Sequence, residues 1–157
     1  MGQFESPAEL PAKLPAQLQS HVVRRNVELD VSAAELWDLV SDPERLAEWF
    51  GDTVDIDLQP GGTGAITDDG VLKFVHVDRV DSGRQLSFSW WEPDRPEHTA
   101  QVVFDIAPTP AGGSRLEITE TLTATSLSLA SVEARQLQWE ARVCALWACT
   151  VVAALIA

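Results

Sequence analysis

Few side chains in this sequence have the type and spacing that catalysis requires, and the best candidates join a histidine to a carboxylate. His76 and Asp78 lie two residues apart on one predicted strand, and Glu120 lies on another, so His76 could form an acid–base pair with either carboxylate. Glu120 is unusual by itself, because strand alternation places it on the same face as Ile118, and an unpaired buried carboxylate is costly. Two outcomes remain open: Glu120 pairs with a polar group or ligand inside, or a bulge near the strand end turns it to solvent.

Other catalytic and metal-binding patterns are missing from the sequence. The three histidines, His21, His76 and His98, lie on separate predicted elements without the spacing of a zinc site. No serine lies in a nucleophile elbow, and no phosphate loop or dinucleotide fingerprint occurs. We therefore expect no metal and no cofactor, we name no catalytic residue, and a conventional enzyme is not indicated.

The charge of the chain argues against two classes of partner. The 157 residues include 24 acidic and 11 basic side chains, which gives a net charge of −13, and no basic stripe with interleaved aromatic residues occurs. Such a chain repels nucleic-acid phosphates and anionic membrane surfaces. Residues 143–157 carry no charge, but they are shorter than the roughly 20 residues of a membrane-spanning helix. We expect no nucleic-acid partner and no membrane span.

The cysteines and the N-terminus bear on location. Cys144 and Cys149 stand five positions apart on a predicted helix, which is an awkward spacing for a disulfide, so both should be free and buried. Free cysteines are typical of a reducing compartment. No apolar segment of signal-peptide length begins the sequence. These features together predict a cytoplasmic protein.

Hydrophobic periodicity predicts the elements that would position these side chains. HVVRRNVELD forms a first strand, and two short helices follow near 33–40 and 43–50, each preceded by a residue that can cap it. From residue 53 onward the period changes to two, with turn residues between segments, which predicts about six further antiparallel strands. The return to a helical period after Thr125 predicts one long helix over residues 131–150 that packs across the sheet.

The sequence resembles a known family in four local strings. Bacterial homologues of the activator of heat-shock-protein-90 ATPase have segments similar to LWDLVSDPERLAEWFG, DIDLQPGG, VDSGRQLSFSW and VFDIAPTPAGGSRLEIT. They belong to the START-like (SRPBCC) superfamily, which also contains polyketide cyclases and the major birch-pollen allergen. The resemblance covers roughly residues 22–150. It implies an α+β helix-grip fold, in which a curved antiparallel sheet of six to seven strands wraps around a long C-terminal helix and encloses a cavity.

The N-terminal segment has a composition of its own. Residues 7–18 contain three copies of a tetrapeptide pattern, PAEL, PAKL and PAQL. Proline at every fourth position removes amide donors and interrupts helix. We therefore predict that residues 1–20 are a Pro-rich extension and that residues 21–157 form one START-like (SRPBCC) helix-grip domain.

The side chains on the two sides of the implied cavity are rich in aromatic rings. Strand alternation directs Phe88 and Trp90 inward together. Helical spacing places four residues of the last helix on one broad face: Trp139, Val143, Leu146 and Trp147. The candidate ligand-binding residues are Trp49, Phe88, Trp90, Phe104, Ile118, Glu120, Trp139, Val143 and Trp147. The same side chains could fill a solid core, and both interpretations remain open.

Three functions are compatible with such a cavity. The first is binding of a small hydrophobic molecule such as a lipid, a polyketide or an isoprenoid. The second is a protein-interaction role like that of the chaperone activators, and the third is a cyclase or dehydratase reaction in the same cavity. If Glu120 faces an apolar cavity, the pKa of its carboxyl should be raised, which would make ligand binding depend on pH.

The C-terminal end predicts an interface. Residues 149–157 are apolar on every side, which is more apolar surface than one sheet can cover. We expect this end to contribute to a homodimer contact or to become disordered. Trp91, which alternation directs to the outer face of the sheet, is expected to join that contact, since exposed apolar patches mark interfaces.

Overall fold

The order of helices and strands follows the sequence pattern in the computed structural model, which describes residues 19–124 and 129–156. The elements are β1 (Gln19–Leu29), α1 (Ala33–Ser41), α2 (Pro43–Leu46), β2 (Thr53–Ile56), β3 (Thr63–Asp68), β4 (Val71–Asp81), β5 (Gln85–Trp91), β6 (Ala100–Pro108), β7 (Ser114–Ala124) and α3 (Leu129–Ile156). The predicted α+β arrangement, with two short helices after the first strand and a long last helix, is confirmed. Most of the predicted N-terminal extension, residues 1–18, lies outside the described residues.

Both short helices begin where the sequence supplies a cap. The Ser32 hydroxyl accepts a hydrogen bond of 3.1 Å from the Glu35 amide. The Asp42 carboxylate accepts one of 3.0 Å from the Glu44 amide, and Pro43 occupies the first turn of α2. These side chains satisfy amides that have no partner in the first turn of a helix, which fixes where α1 and α2 start.

The second short helix is shorter than the predicted range 43–50. After Leu46 the chain tightens, and the Trp49 and Phe50 amides both donate to the Leu46 carbonyl, at 3.2 and 2.9 Å. This turn directs the two neighbouring aromatic rings into the core, where both are buried.

The sheet contains seven antiparallel strands in the order β1-β7-β6-β5-β4-β3-β2. Its register aligns one inward row across five strands, formed by Val23, Glu120, Val102, Phe88 and Val77. All five side chains of this row are buried. The sheet therefore places a single carboxylate in the middle of an otherwise apolar row.

The long helix α3 packs on the sheet with most of the predicted face. Its buried residues recur at helical spacing: Trp139, Arg142, Leu146 and Thr150. Two residues of the predicted face, Trp139 and Leu146, are thus buried, and Val143 is half-buried. Trp147 is 54% exposed, so its predicted inward position is wrong. The physical reason is that the buried face includes Arg142, whose side chain has buried partners, and Trp147 lies about 140° around the helix from it.

The exposure of the two cysteines follows from the orientation of α3. Both are free, but Cys144 is exposed and Cys149 is half-buried, so the predicted burial of both thiols is wrong. Cys144 lies about 200° around the helix from the buried Arg142, which puts it on the outer side. Within the described residues, no helix is long and apolar enough to cross a lipid bilayer.

Candidate functional site

Six buried aromatic rings lie between the sheet and the helices. We call this group the aromatic interior: Trp49, Phe50, Phe88, Trp90, Phe104 and Trp139. Phe50 is central, with ring-centroid distances of 5.5 Å to Trp90 and 5.6 Å to Trp139. The Phe50 ring meets Phe88 and Phe104 edge-on at 5.9 Å each. These separations lie in the range that aromatic pairs prefer, so the rings are in contact with one another as a packed core.

Glu120 lies against the aromatic interior and is held by three donors. The Trp90 indole N–H donates to Oε2 at 2.8 Å, and the Trp139 indole N–H donates to Oε1 at 3.0 Å. Arg135 of α3 donates to Oε2 at 2.9 Å. The carboxylate is only 2% exposed. The first of the two open outcomes is therefore confirmed: Glu120 points inward and pairs with polar groups, and no strand-end bulge turns it to solvent.

The electrostatics of Glu120 differ from the expectation for an apolar cavity. Burial alone raises the pKa of its carboxyl, but Arg135, the indole N–H groups of Trp139 and Trp90, and the Lys73 ammonium outweigh burial and hold the pKa below its usual value. The predicted raised pKa is therefore wrong, because the Arg135 guanidinium and the indole N–H groups of both tryptophans face this carboxylate. Glu120 stays ionised at neutral pH.

A second buried ion pair fixes the middle of α3. Arg142 is 6% exposed, donates from Nη2 to the Asp68 carboxylate at 2.7 Å and from Nε to the Phe50 carbonyl at 3.2 Å. Its guanidinium also lies over the Trp139 ring at 4.7 Å and over the Trp90 ring at 5.2 Å from the centroids. These contacts compensate the burial of the charge and connect the helix to β3.

Lys73 is the third cation at this place, and its partners differ from those of the two arginines. It shares the inner face of β4 with the buried Val75 and Val77, and its Nζ lies 3.9 Å from the centroid of the Trp90 ring. Among the described residues, no carboxylate lies within ion-pair distance of Nζ. Lys73 therefore has an aromatic face as its neighbour, and no ion pair with a described residue fixes its amine.

The same surroundings change the protonation of Lys73. Burial lowers the pKa of its amine from 10.5 to about 8. Glu120 opposes this change, while Arg135 and Arg142 add to it. At pH 7 roughly a tenth of the Lys73 amine is consequently unprotonated.

The three cations border an open space that we call the helix–sheet cleft. It lies between β3, β4, β5 and the first half of α3, has a volume of about 180 Å³, and is lined by Ile66, Asp68, Val71, Lys73, Trp90, Glu92, Ser131, Ala134, Arg135, Gln138 and Arg142. A neighbouring hollow of about 390 Å³ shares Asp68, Gln138 and Arg142 with the cleft. The Arg142–Asp68 ion pair thus stands at the border of the two spaces.

The predicted ligand-binding residues are distributed over several environments. Trp90 lines the helix–sheet cleft, and Trp49 lines the neighbouring hollow. The members of the set that are buried in the interior are Phe88, Phe104, Ile118, Glu120 and Trp139. Val143 is half-buried on α3, and Trp147 lies on its exposed side. Six of the nine predicted residues therefore lie together: Trp49, Phe88, Trp90, Phe104, Glu120 and Trp139. Ile118 is buried on the same face of the sheet as Glu120, whereas Val143 and Trp147 lie apart from the group.

The three cations of the cleft were missed by the sequence analysis. Lys73 could have been found by parity, because a charged side chain two residues before the inward Val75 is unusual in a buried row. Arg135 and Arg142 are seven residues apart with Trp139 between them, so all three share a face of α3. That spacing was a signal for cations that point toward the sheet.

His76 lies on the opposite face of the sheet from this site. His76 lies on the outer face of β4 with its Nδ1 3.0 Å from Asp78, and it is not joined to the inward Glu120. The Ser89 hydroxyl donates to the other oxygen of Asp78 at 2.7 Å. Asp78 therefore separates the serine from the imidazole, whereas a nucleophile must contact its base directly. Of the two predicted pairings, the one between His76 and Asp78 is therefore present, but it lies on the outer face of the sheet.

Comparison with known proteins agrees with this geometry. The family described as activator of Hsp90 ATPase homolog 1-like protein matches residues 30–146. No curated protein sequence matches the chain. The similar solved structures share the START-like (SRPBCC) helix-grip fold.

Three solved structures illustrate the likeness. DynU16, a protein of the dynemicin biosynthetic locus, is 24% identical with a TM-score of 0.67, and the alignment covers 80% of this chain and 45% of DynU16. CalU16 from Micromonospora echinospora is 22% identical with a TM-score of 0.64, over 83% of this chain and 73% of CalU16. The Aha1 dimer from Colwellia psychrerythraea is 12% identical with a TM-score of 0.66, over 83% of this chain and 96% of that one.

The chain thus spans less than half the length of DynU16, and identities this low show a common fold alone. The family match is more specific evidence than these structures, because it covers residues 30–146, from the residue after β1 to the second half of α3. This range includes every residue that lines the helix–sheet cleft. On that evidence the chain belongs to the activator of Hsp90 ATPase homolog 1-like family.

Proposed function

We propose that the protein binds a small, predominantly apolar molecule in the helix–sheet cleft. The ligand places a planar apolar part near Trp90 and a negatively polarised oxygen near Lys73. Lipids, polyketides and isoprenoid-like molecules that carry a carboxylate, phenolate or carbonyl oxygen have this chemistry. A cavity of about 150 Å³ accommodates benzene, so a cleft of about 180 Å³ suits one ring, with any larger part extending outward.

The observation that carries this proposal is the difference between Lys73 and its neighbouring cations. Arg135 and Arg142 each have a carboxylate within 2.9 Å, whereas Lys73 has none in ion-pair range among the described residues. Cations on a buried face are normally paired, because removing an isolated charge from water is costly. An oxygen-bearing ligand would supply the ion-pair partner that none of the described residues provides.

The test is a binding titration with a panel of fatty acids, flavonoids and aromatic polyketides, followed by tryptophan fluorescence. We expect saturable quenching in the wild type and weaker binding in Lys73→Ala. A hydrogen bond to a charged group contributes about 1.5–3 kcal/mol, which corresponds to a loss of affinity of about tenfold or more. Arg79→Ala is the matched control, because it removes a cation from the exposed side of the same strand.

Two results would contradict the proposal. One is that no member of the panel binds the wild type saturably. The other is that Lys73→Ala and Arg79→Ala have the same affinity as the wild type, which would place any bound ligand away from the cleft.

We also propose that two copies associate through the outer side of α3. The large apolar side chains exposed on this helix are Leu137, Trp147 and Val152. Exposed apolar side chains of this size are typical of an interface. The Aha1 structure from Colwellia psychrerythraea is that of a dimer. Trp91, half-buried against Phe74 on the outer face of the sheet, is the candidate for a second contact.

A further inference from the structure

We propose that Lys73 is a reactive amine that condenses with an aldehyde or ketone group of a ligand in the helix–sheet cleft and forms an imine. This proposal rests on the proposed function, because the cleft must admit the ligand, and it adds a covalent step to binding. The class of ligand is thereby narrowed to small, mainly apolar carbonyl compounds.

The composition of the chain makes Lys73 unusual. Its 11 cationic side chains include only two lysines, Lys13 in the Pro-rich segment and Lys73 in the cleft, while all the others are arginines. Arginine holds the structural positions of this region, as Arg135 and Arg142 show by their ion pairs. Arginine stays protonated at any physiological pH and is a poor nucleophile, whereas a lysine amine can lose its proton and attack a carbonyl carbon. The cleft thus contains the one kind of cation that is capable of this chemistry.

The position of the amine is defined by a rigid platform. The Trp90 ring lies 3.9 Å from Nζ and is fixed by its hydrogen bond to Glu120 and by its stacking on Phe50, at 5.5 Å and an interplanar angle of 27°. Lys73 also lines the open cleft, so its nitrogen is accessible to a ligand. A fixed platform beside a free amine holds the nitrogen near the place where a planar carbonyl compound would sit.

The surroundings also provide the unprotonated amine that the reaction needs. With a pKa of about 8, the amine is neutral in roughly a tenth of the molecules at pH 7, compared with about one molecule in three thousand for an ordinary lysine. Burial and the charges of Arg135 and Arg142 maintain this state. A desolvated lysine near other cations is a known means of activating an amine.

The step is balanced without an oxidant or a reductant. The Nζ lone pair attacks the carbonyl carbon, and the carbonyl oxygen receives a proton from nitrogen to give a carbinolamine. The nitrogen lone pair then forms a carbon–nitrogen double bond as the carbon–oxygen bond breaks, and the departing hydroxyl takes the remaining N–H proton and leaves as water. Addition of water reverses the sequence and releases the ligand, so the modification is reversible.

The experiment traps the imine on the full-length protein. The protein is incubated with 4-hydroxybenzaldehyde, a single-ring aldehyde that suits the cleft, and with sodium cyanoborohydride, and the modified peptides are quantified by mass spectrometry. We expect Lys73 to react at least tenfold faster than Lys13 at pH 7.5, with a rate that saturates with aldehyde concentration and a pH midpoint near 8. The α-amino group also titrates near 8 and is followed on its own peptide.

Two variants serve as controls. Lys73→Arg keeps the charge and should lose the saturable modification, while Lys13→Arg should leave it unchanged. Modification of Lys73 at the rate of Lys13, or a rate that rises linearly with aldehyde concentration, would overturn the imine proposal.

A matched ligand without a carbonyl group separates this proposal from the proposed function. 4-Hydroxybenzyl alcohol cannot form an imine, and its binding is followed by tryptophan fluorescence. If the alcohol binds and Lys73 is not trapped selectively, the covalent step is wrong and the binding function stands. If the alcohol does not bind and trapping is unselective, both are wrong.

Discussion

The aromatic interior and the helix–sheet cleft meet at one residue, Trp90, and they differ in how their polar groups are satisfied. In the interior, Glu120 has three donors within 3.0 Å, so its charge is fully paired. In the cleft, Lys73 has the Trp90 ring as its neighbour, and no carboxylate of the described residues lies within ion-pair distance of its amine. Burial alone therefore does not identify a binding site in this fold. A cation beside open space, with no ion pair to a described residue, is the more informative feature.

This comparison predicts that changes in the interior affect stability, whereas changes in the cleft affect binding. The largest expected effect is that of Trp139→Ala, which removes a buried ring and one donor to Glu120. It should lower the free energy of unfolding by about 3–5 kcal/mol. Trp147→Ala removes a ring that is 54% exposed on the same helix. It should change the free energy of unfolding of the monomer by less than about 0.5 kcal/mol. Urea unfolding measures both, and equal effects would contradict the assignment of Trp139 to a solid core.

The second effect concerns the interior carboxylate. Glu120→Ala leaves the Arg135 charge and two indole N–H groups without their acceptor, and breaking a buried pair costs about 3 kcal/mol or more. Lys73→Ala removes no ion pair and should cost less than about 1 kcal/mol. The two variants are compared by urea unfolding, and the distinction between the regions fails if Lys73→Ala is the more destabilising change.

A smaller effect is the dependence of stability on pH, and the two regions should show it in different windows. The pKa of Glu120 is lowered on folding, so its contribution is present above the carboxyl pKa of the unfolded chain and is lost as pH falls through the folded value. The wild type should therefore lose its stability advantage over Glu120→Gln in acid. Thermal unfolding at a series of pH values measures this difference, and a constant difference would contradict the lowered pKa.

The pKa of Lys73 is lowered on folding too, but for a base the sign of the effect is reversed. Between pH 8 and 10.5 the unfolded chain binds more protons at this lysine than the folded chain does, so stability rises with pH in this window. Relative to Lys73→Met, which has no proton to lose, the wild type should gain stability from pH 8 to 10.5. The same thermal scans test this, and a parallel course of the two proteins would show that the amine has an ordinary pKa.

The smallest effect on stability is expected at the outer side of α3. Trp147→Glu places a charge on the proposed interface and should leave the free energy of unfolding of the monomer nearly unchanged, since Trp147 is exposed. It should abolish dimers in sedimentation experiments if that side of α3 is the contact. A wild type that sediments as a monomer at all concentrations would contradict the proposed association.

Local features of the sequence were sufficient to predict the elements of the fold. The caps at Ser32 and Asp42 depend on residues two or three positions away, and strand alternation depends on the nearest neighbours, so both can be predicted from the sequence alone. The inward direction of Glu120 followed from the same alternation. These predictions needed no knowledge of the tertiary structure.

The details of the candidate site could not be predicted in the same way. The partner of Arg142 is Asp68, which is 74 residues away, and this contact decides which face of α3 is buried. The direction of the Trp90 and Trp139 indole N–H groups depends on ring rotations that a periodicity does not contain. The sequence therefore indicated which residues face inward, but not which of them have polar partners.

The most direct test of the central claim, that ligands bind beside Lys73, uses the small number of lysines. Methylation with carbon-13 formaldehyde under reducing conditions gives dimethylamine signals for Lys13, Lys73 and the N-terminus in a nuclear magnetic resonance spectrum. The Lys73 signal should be displaced by the ring current of Trp90 and should titrate near pH 8. We predict that a ligand from the panel shifts the Lys73 signal saturably and leaves the Lys13 signal unchanged. A ligand that binds saturably by fluorescence while the Lys73 signal stays in place would contradict the account.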